Sequence, residues 1–195
     1  DKDPDPRPIE AMIRTMNTAS DDQFAAAMAP YLDLPLFMKH LAVEDYIGET
    51  DGILTGMNNF YLYRFEKKNL SQFIVHDKDQ TFGGQINKTD RWANPLLGLA
   101  GKNVLIRRAL NVPEARNAYF DTLRSVMSIA GGSGGWMESE LQRVYNQIRS
   151  AAYDDKKKVC FDGLVQRLCT DTDFEFEFNA NLEFARRRPA YVQGQ

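Results

Sequence analysis

The sequence predicts an α+β domain that is predominantly α-helical, and three observations support that class. Helical periodicity dominates on both sides of one short β-rich stretch. No alternation of strands and helices, as in a parallel sheet, is visible. The composition, with 43% hydrophobic and 26% charged residues, is that of an ordinary globular protein. At 195 residues the chain can bury one core, so we expect one domain, at most two.

Apolar residues at three- and four-residue steps predict the helices. They cover residues 9–16, 24–28, 36–47, part of 96–109, 114–130, 136–153 and a closing helix that runs to about Val192. Residues 1–8 are rich in proline and charge, which is typical of a linker, and we expect the native protein to extend upstream. Residues 131–135 read Gly-Gly-Ser-Gly-Gly and predict a flexible loop, either native or in place of an excised one.

After Gly48 the period changes, and residues 60–65 and 72–75 form two β-rich runs. The polar residues 66–69 join them, which predicts a small antiparallel hairpin. A polar loop, residues 77–84, follows the second strand. This hairpin is the only sheet that the sequence predicts.

Charge and hydropathy exclude several classes of partner. The formal net charge is −3 with Lys and Arg scattered among the acids, whereas nucleic-acid binding needs a concentrated basic face. No apolar run approaches the ~20 residues of a membrane span. Two histidines and two distant cysteines do not provide a structural zinc site. We interpret residues 186–188, three arginines, as a solvated helix end, with an anion contact as the alternative.

The cysteines, Cys160 and Cys169, leave two alternatives open. On an unbroken helix they would lie on opposite faces, ~13 Å apart along the axis, which is too far for a disulfide. A bridge requires residues 161–168 to form a loop or to fold back on themselves, for which Asp162-Gly163 is suitable. The other alternative is two buried free thiols.

Oxygen-bearing side chains flank the predicted hairpin. Phosphoryl transfer from a nucleotide needs carboxylate and amide oxygens to hold Mg²⁺ against the phosphates, and a further carboxylate to orient the acceptor hydroxyl. Protein kinases supply an Asp, an Asn a few residues later and a second Asp after a hairpin. Asp51, Asn59 (or Asn58) and Asp77 occur here in that order. Because the hairpin reverses the chain, we expect these side chains to converge on one pocket that can hold a cation.

Two motifs make the comparison specific. Residues 59–64 read Asn-Phe-Tyr-Leu-Tyr-Arg, and residues 73–83 read Phe-Ile-Val-His-Asp-Lys-Asp-Gln-Thr-Phe-Gly. Together with Asp51-Gly52 they resemble the spore coat protein H (CotH) family of atypical kinases. That family's pattern is similar to Asn-Tyr-Tyr-Leu-Tyr followed by Pro-Trp-Asp-x-Asp-x-Thr-Phe-Gly. A weaker likeness covers nearly the whole chain, in residues 36–47, 94–96, 119–123 and 184–192.

The chain also departs from that pattern. Val75 and His76 stand where the family has Pro and Trp. Asp51 and Asn59 are farther apart than the corresponding pair in protein kinases, which implies a longer loop or a role for Asn58 instead.

The resemblance implies a role for each matching residue. Asp51 would be the catalytic carboxylate, Asn59 and Asp77 would bind the nucleotide's metal, and Asp79 would be a further metal ligand. The implied cofactors are ATP and Mg²⁺ or Mn²⁺, since carboxylate and amide oxygens favour hard ions. The γ-phosphate would move to Ser or Thr of a surface or secreted protein, and the implied location is extracellular, on the cell surface or in the spore coat.

The resemblance further implies that residues 9–195 are the C-terminal, catalytic-lobe-like part of a kinase domain, with the N-terminal lobe outside the chain. No residue in the first thirty can be assigned as the lysine that grips the nucleotide. Since that lysine bears on the phosphates, we expect the chain alone to be inactive or nearly so.

Two other functions are alternatives. A non-catalytic scaffold, pseudokinase-like or active in coat assembly, would keep the fold and bind partners. A metal-dependent glycosyltransferase would use Asp77 and Asp79 to hold a sugar nucleotide, but it requires a parallel sheet. Aspartates in such pairs also stabilise turns, and His40 is interpreted as a packed core histidine.

Overall fold

The computed structural model describes residues 5–65, 67–68, 70–83, 89–162 and 165–195. In this part of the chain the protein is mostly helical with two small antiparallel hairpins, which confirms the predicted α+β class. The elements in chain order are α1 (Arg7–Thr18), α2 (Phe24–Met28), α3 (Leu34–Tyr46), β1 (Phe60–Phe65), β2 (Leu70–Val75), 3₁₀ turns at Arg91–Ala93 and Ala100–Lys102, α4 (Val104–Ala109), α5 (Pro113–Ala130), α6 (Trp136–Asp154), β3 (Val159–Asp162), β4 (Val165–Leu168) and α7 (Asp171–Gln193).

The chain divides into two compact units. Unit 1 comprises Asp1–Asp45, Asp51–Asp79 and Leu97–Leu123, and unit 2 comprises Tyr46–Thr50, Gln80–Leu96 and Arg124–Gln195. The predicted linker, residues 1–8, lies partly outside the described residues, and α1 already begins at Arg7. None of the described helices is long and apolar enough to cross a bilayer.

Unit 1 contains the predicted hairpin. Its register runs from Phe60 opposite Val75 to Phe65 opposite Leu70, so β2 begins earlier than predicted. One side of the sheet packs on α3, where the rings of Phe73 and Phe37 lie 4.9 Å apart between centroids. The core of the unit is formed by buried side chains that include Phe24, Met28, Phe37, Leu41, Ile106 and Tyr119.

Helix α3 of this unit starts at a side-chain cap. The Asp33 carboxylate accepts a hydrogen bond from the Leu36 amide at 2.9 Å, and Pro35 lies within the first turn. An aspartate in that position satisfies one of the amides that a helix start leaves free, so the helix begins at Leu34 rather than at residue 36.

Unit 2 is organised around α7, and the interpretation of its arginines as solvated is wrong for Arg188. That side chain is fully buried. Its Nε donates to the carbonyl oxygen of Tyr46 at 2.9 Å, and its Nη1 donates to the carbonyl oxygens of Trp92 and Asn94. Arg186, by contrast, is half-exposed. A run of like residues can therefore contain both a solvated and a buried member, because helix periodicity turns them to different faces.

Unit 2 also contains a second hairpin, which the sequence did not predict. Strands β3 and β4 pair from Val159 opposite Leu168 inward, and their turn lies outside the described residues. Cys160 and Cys169 form a disulfide, with Cα atoms 5.2 Å apart. Of the two alternatives for the cysteines, the folded-back bridge is therefore the one observed. Both sheets among the described residues are two-stranded and antiparallel, so this part of the chain lacks the parallel sheet of the glycosyltransferase alternative.

Replacing both cysteines by serine is expected to lower the stability of unit 2 by about 2–3 kcal/mol, because a short closed loop restricts the unfolded chain. Chemical denaturation followed by tryptophan fluorescence measures this unit, since Trp92 and Trp136 are the protein's two tryptophans and both belong to it. Dithiothreitol should shift the wild-type midpoint by the same amount and leave the double variant unchanged. An equal dithiothreitol effect on both proteins would contradict the assignment.

Candidate functional site

The hairpin of unit 1 brings two of the predicted site residues to one end of a sheet. Phe60 and Val75 are the outermost paired residues of β1 and β2. Asn59 immediately precedes this pair, and Asp77 follows it at a distance of two residues. Directly opposed residues in antiparallel strands lie about 4.5–5.5 Å apart between Cα atoms, so both residues flank the same open end of the hairpin.

Asp51 is held at this end by the predicted asparagine. Its Oδ2 accepts a hydrogen bond from Nδ2 of Asn59 at 2.8 Å and a longer one from Nδ2 of Asn58 at 3.4 Å. Asn59 is half-buried whereas Asn58 is exposed. Asn59 is therefore the closer and better protected partner, and its amide oxygen stays available because the amide nitrogen makes the contact.

Gly56 permits the position of the Asp51 carboxylate. A Cβ atom at residue 56 would lie 2.3 Å from Oδ1 of Asp51 and 3.1 Å from its Cα. The first distance is shorter than any real contact of a Cβ atom, so a side chain here would displace the carboxylate. Gly56 was not among the predicted site residues, because nothing in the neighbouring sequence indicates that a side chain from five residues earlier approaches it.

Asp77 and Asp79 are exposed, and among the described residues neither carboxylate makes a hydrogen bond or an ion pair. Between them, Lys78 is turned inward and its side chain is only 15% exposed. Its Nζ lies 2.6 Å from Oε1 of Glu44 and donates to the backbone oxygen of Asn59 at 3.0 Å. This contact fixes the segment of the two aspartates beside Asn59.

Glu44 of helix α3 contacts several of the segments that form the site. Its side chain is 4% exposed and pairs with Lys78. The Ile53 amide donates a hydrogen bond to Oε2 at 3.2 Å, and Nε2 of His40 lies 3.2 Å from Oε1. Burial alone would raise the pKa of the Glu44 carboxyl, but His40 and Lys78 outweigh it and hold the pKa below its ordinary value. The site is thus supported by an ionised buried carboxylate.

Sequence reasoning missed both members of this ion pair. A signal was present, because Glu44 lies among apolar residues of the predicted helix 36–47, and an acidic residue that is buried with them needs a cationic partner. His40, interpreted as a packed core residue, lies against the same carboxylate and is half-buried.

The backbone around the hairpin end has an uncommon conformation. Met57, Asn59 and Asp77 have φ values of 53°, 53° and 46°, in the left-handed region. For residues other than glycine this conformation costs on the order of 1 kcal/mol each and is found most often at functional loops. The contacts of Asp51 and Lys78 hold Asn59 in place.

The oxygen atoms at this end suit a hard divalent cation. The candidates are the amide oxygen of Asn59 and the carboxylates of Asp77 and Asp79, with Asp51 beside them. Among the described residues, no group of three or more His, Cys, Asp or Glu side chains is placed to hold a metal by itself. A cation here would thus need further ligands, which the Asn59 amide oxygen and water can supply, as is usual for Mg²⁺. Convergence of all three predicted residues on one ion stays a prediction.

Comparison with family models gives a match over residues 1–192, to the family described as CotH kinase protein. The chain belongs to this family. The resemblance stated on the motifs around Asp51, Asn59 and Asp77 is therefore confirmed at the level of the CotH kinase family. Comparison with curated proteins gives no match. At the two positions where this CotH chain departs from the family pattern, Val75 ends β2 and the His76 ring lies 4.5 Å from that of Tyr61.

Proposed function

We propose that this chain carries the catalytic and metal-binding residues of a CotH-type protein kinase, which transfers the γ-phosphate of ATP to Ser or Thr of a surface or secreted protein. The observation that supports it most is the hydrogen bond from Asn59 to Asp51 at the hairpin end, next to the exposed carboxylates of Asp77 and Asp79, for which the described part of the chain provides no partner. Family membership supports the kinase class.

Each residue has a distinct role in this proposal. Asp51 orients the acceptor hydroxyl and takes its proton, and its hydrogen bond to Asn59 fixes the carboxylate for that task. The amide oxygen of Asn59 and the carboxylates of Asp77 and Asp79 hold Mg²⁺. When bound, Mg²⁺ would neutralise the charge that develops on the transferring phosphoryl group. Lys78 is engaged by Glu44 and is therefore not assigned as the lysine that grips the nucleotide.

The proposed location is outside the cell, on its surface or in a spore coat. The disulfide between Cys160 and Cys169 supports it, because such bonds persist in oxidising compartments and are rare in the cytosol. A substrate in the same compartment would be a protein with accessible Ser or Thr.

Replacing Asp77 by asparagine is expected to weaken Mg²⁺-dependent ATP binding by about 100-fold, because a charged ligand is worth about 3 kcal/mol. Isothermal calorimetry on the natural protein that contains this chain, with and without Mg²⁺, measures the effect. Asp22→Asn is the matched control, since Asp22 is an exposed aspartate of the same unit in the turn before α2. Equal Mg²⁺-dependent affinity in wild type and Asp77→Asn would remove the proposal and favour a non-catalytic scaffold.

A further inference from the structure

A buried ion pair joins Glu44 of α3 to Lys78 in the loop after β2. Lys78 stands in sequence between the two carboxylates proposed to hold the cation, and a free ammonium there would compete with a metal ion for both. Instead its Nζ is drawn to Oε1 of Glu44, 2.6 Å away, on a side chain that is almost completely buried. Asp77 and Asp79 remain exposed and unpartnered among the described residues.

Glu44 also connects the other parts of the site. Its Oε2 accepts a hydrogen bond from the backbone amide of Ile53, which lies two residues after Asp51. Glu44 is also connected indirectly to the start of β1, because its partner Lys78 donates a hydrogen bond to the backbone oxygen of Asn59. One carboxylate on α3 therefore contacts or connects all the segments that carry Asp51, Asn59 and Asp77. Among the described residues, His40 is the only other titratable side chain that pairs with Glu44.

We infer that Glu44 is a positioning residue for the candidate phosphoryl-transfer site, where it withdraws the Lys78 ammonium from the metal-binding carboxylates and so sets both their charge and their geometry. This inference rests on the proposed function and deepens it. Glu44 touches neither nucleotide nor metal in this scheme, and it acts through Lys78.

The test is Mn²⁺ binding to the purified chain, measured by titration calorimetry or by electron paramagnetic resonance. Glu44→Gln is expected to weaken binding about tenfold, because the released ammonium pairs with Asp77 or Asp79. The double variant Glu44→Gln/Lys78→Met removes both charges and is expected to recover the affinity to within about threefold of wild type, since the two effects are coupled. Thermal unfolding verifies that each variant is folded at the measuring temperature.

A second readout needs no metal. Reductive dimethylation with mass spectrometry should modify Lys78 slowly in wild type and at least about tenfold faster in Glu44→Gln, because the wild-type amine lies 2.6 Å from Glu44 on a side chain that is only 15% exposed. Lys67, an exposed lysine of the same hairpin, is the internal control and should react equally in both proteins.

The outcomes separate the two proposals. Wild-type affinity in Glu44→Gln, equal labelling of Lys78 in both proteins, or a double variant as weak as the single one would overturn the role of Glu44. In the last case Glu44 would act only through folding. Wild-type affinity in Asp77→Asn, or no Mn²⁺ binding by the wild-type chain, would remove the metal site and this inference with it. Weak binding by Asp77→Asn with normal binding by Glu44→Gln would remove the inference alone.

Discussion

Replacing Arg188 by methionine is expected to destabilise unit 2 by about 3–5 kcal/mol. The arginine is 0% exposed, and its guanidinium donates to the backbone oxygens of Tyr46, Trp92 and Asn94. Methionine fills part of the volume of the stem but leaves three acceptors without these donors, and each unsatisfied buried group costs about 1–3 kcal/mol. Chemical denaturation followed by tryptophan fluorescence measures the loss, because Trp92 and Trp136 both report on this unit.

Arg186→Met is the matched control, since Arg186 lies two residues before Arg188 on the same helix. Arg186 is 48% exposed and its Nη2 lies 2.6 Å from the Glu138 carboxylate. Exposed ion pairs contribute at most about 1 kcal/mol, so its midpoint should shift little. Arg188→Lys should resemble the methionine variant, since one ammonium on an unbranched stem cannot reproduce the planar fork that serves three carbonyl groups. Equal midpoints for Arg188→Met and Arg186→Met would show that the buried contacts contribute nothing.

Replacing Gly56 by alanine is expected to lower phosphoryl transfer by about 100-fold and the stability by no more than about 2 kcal/mol. The new Cβ would lie 2.3 Å from Oδ1 of Asp51, so the carboxylate must move away and lose its hydrogen bond to Asn59. A catalytic group displaced by about 1 Å can lose two orders of magnitude in rate. The natural protein that contains this chain is assayed with labelled ATP, together with its thermal unfolding.

Gly101→Ala provides the control, because among the described residues only neighbours in the chain come within 4 Å of the Cβ position at residue 101, which belongs to the same unit. It should leave both rate and unfolding temperature unchanged. The explanation fails if Gly56→Ala retains wild-type turnover, or if its loss of rate is accompanied by a proportionate loss of folded protein.

The parts of the fold that could be predicted are those specified by neighbouring residues. The hairpin of β1 and β2 follows from two short β-rich runs. It places Asn59 and Asp77 at one end of the sheet, and this placement can be predicted without knowing the rest of the fold. Helices α2, α5 and α6 agree with their apolar spacing to within one residue. Asn59 donates a hydrogen bond to Asp51, which joins two of the residues predicted to converge, whereas convergence of all three on one ion stays a prediction.

The parts that were missed depend on distant partners. Strands β3 and β4 have only four residues each and are closed by a disulfide, so their periodicity is too short to detect. The pairing of Glu44 with Lys78 and the burial of Arg188 depend on groups far away in the chain. Composition identifies such residues as surface charges unless the fold is known.

The left-handed backbone at Met57, Asn59 and Asp77 sets a limit on how this domain can be engineered. Glycine at any of these positions would relieve the conformational cost, so a screen for heat resistance alone would tend to select it. The same change would remove a side chain or loosen the loops that aim the carboxylates. If the proposed function holds, heat resistance and turnover therefore oppose each other at these residues, and a more heat-resistant protein has to gain its stability at other positions.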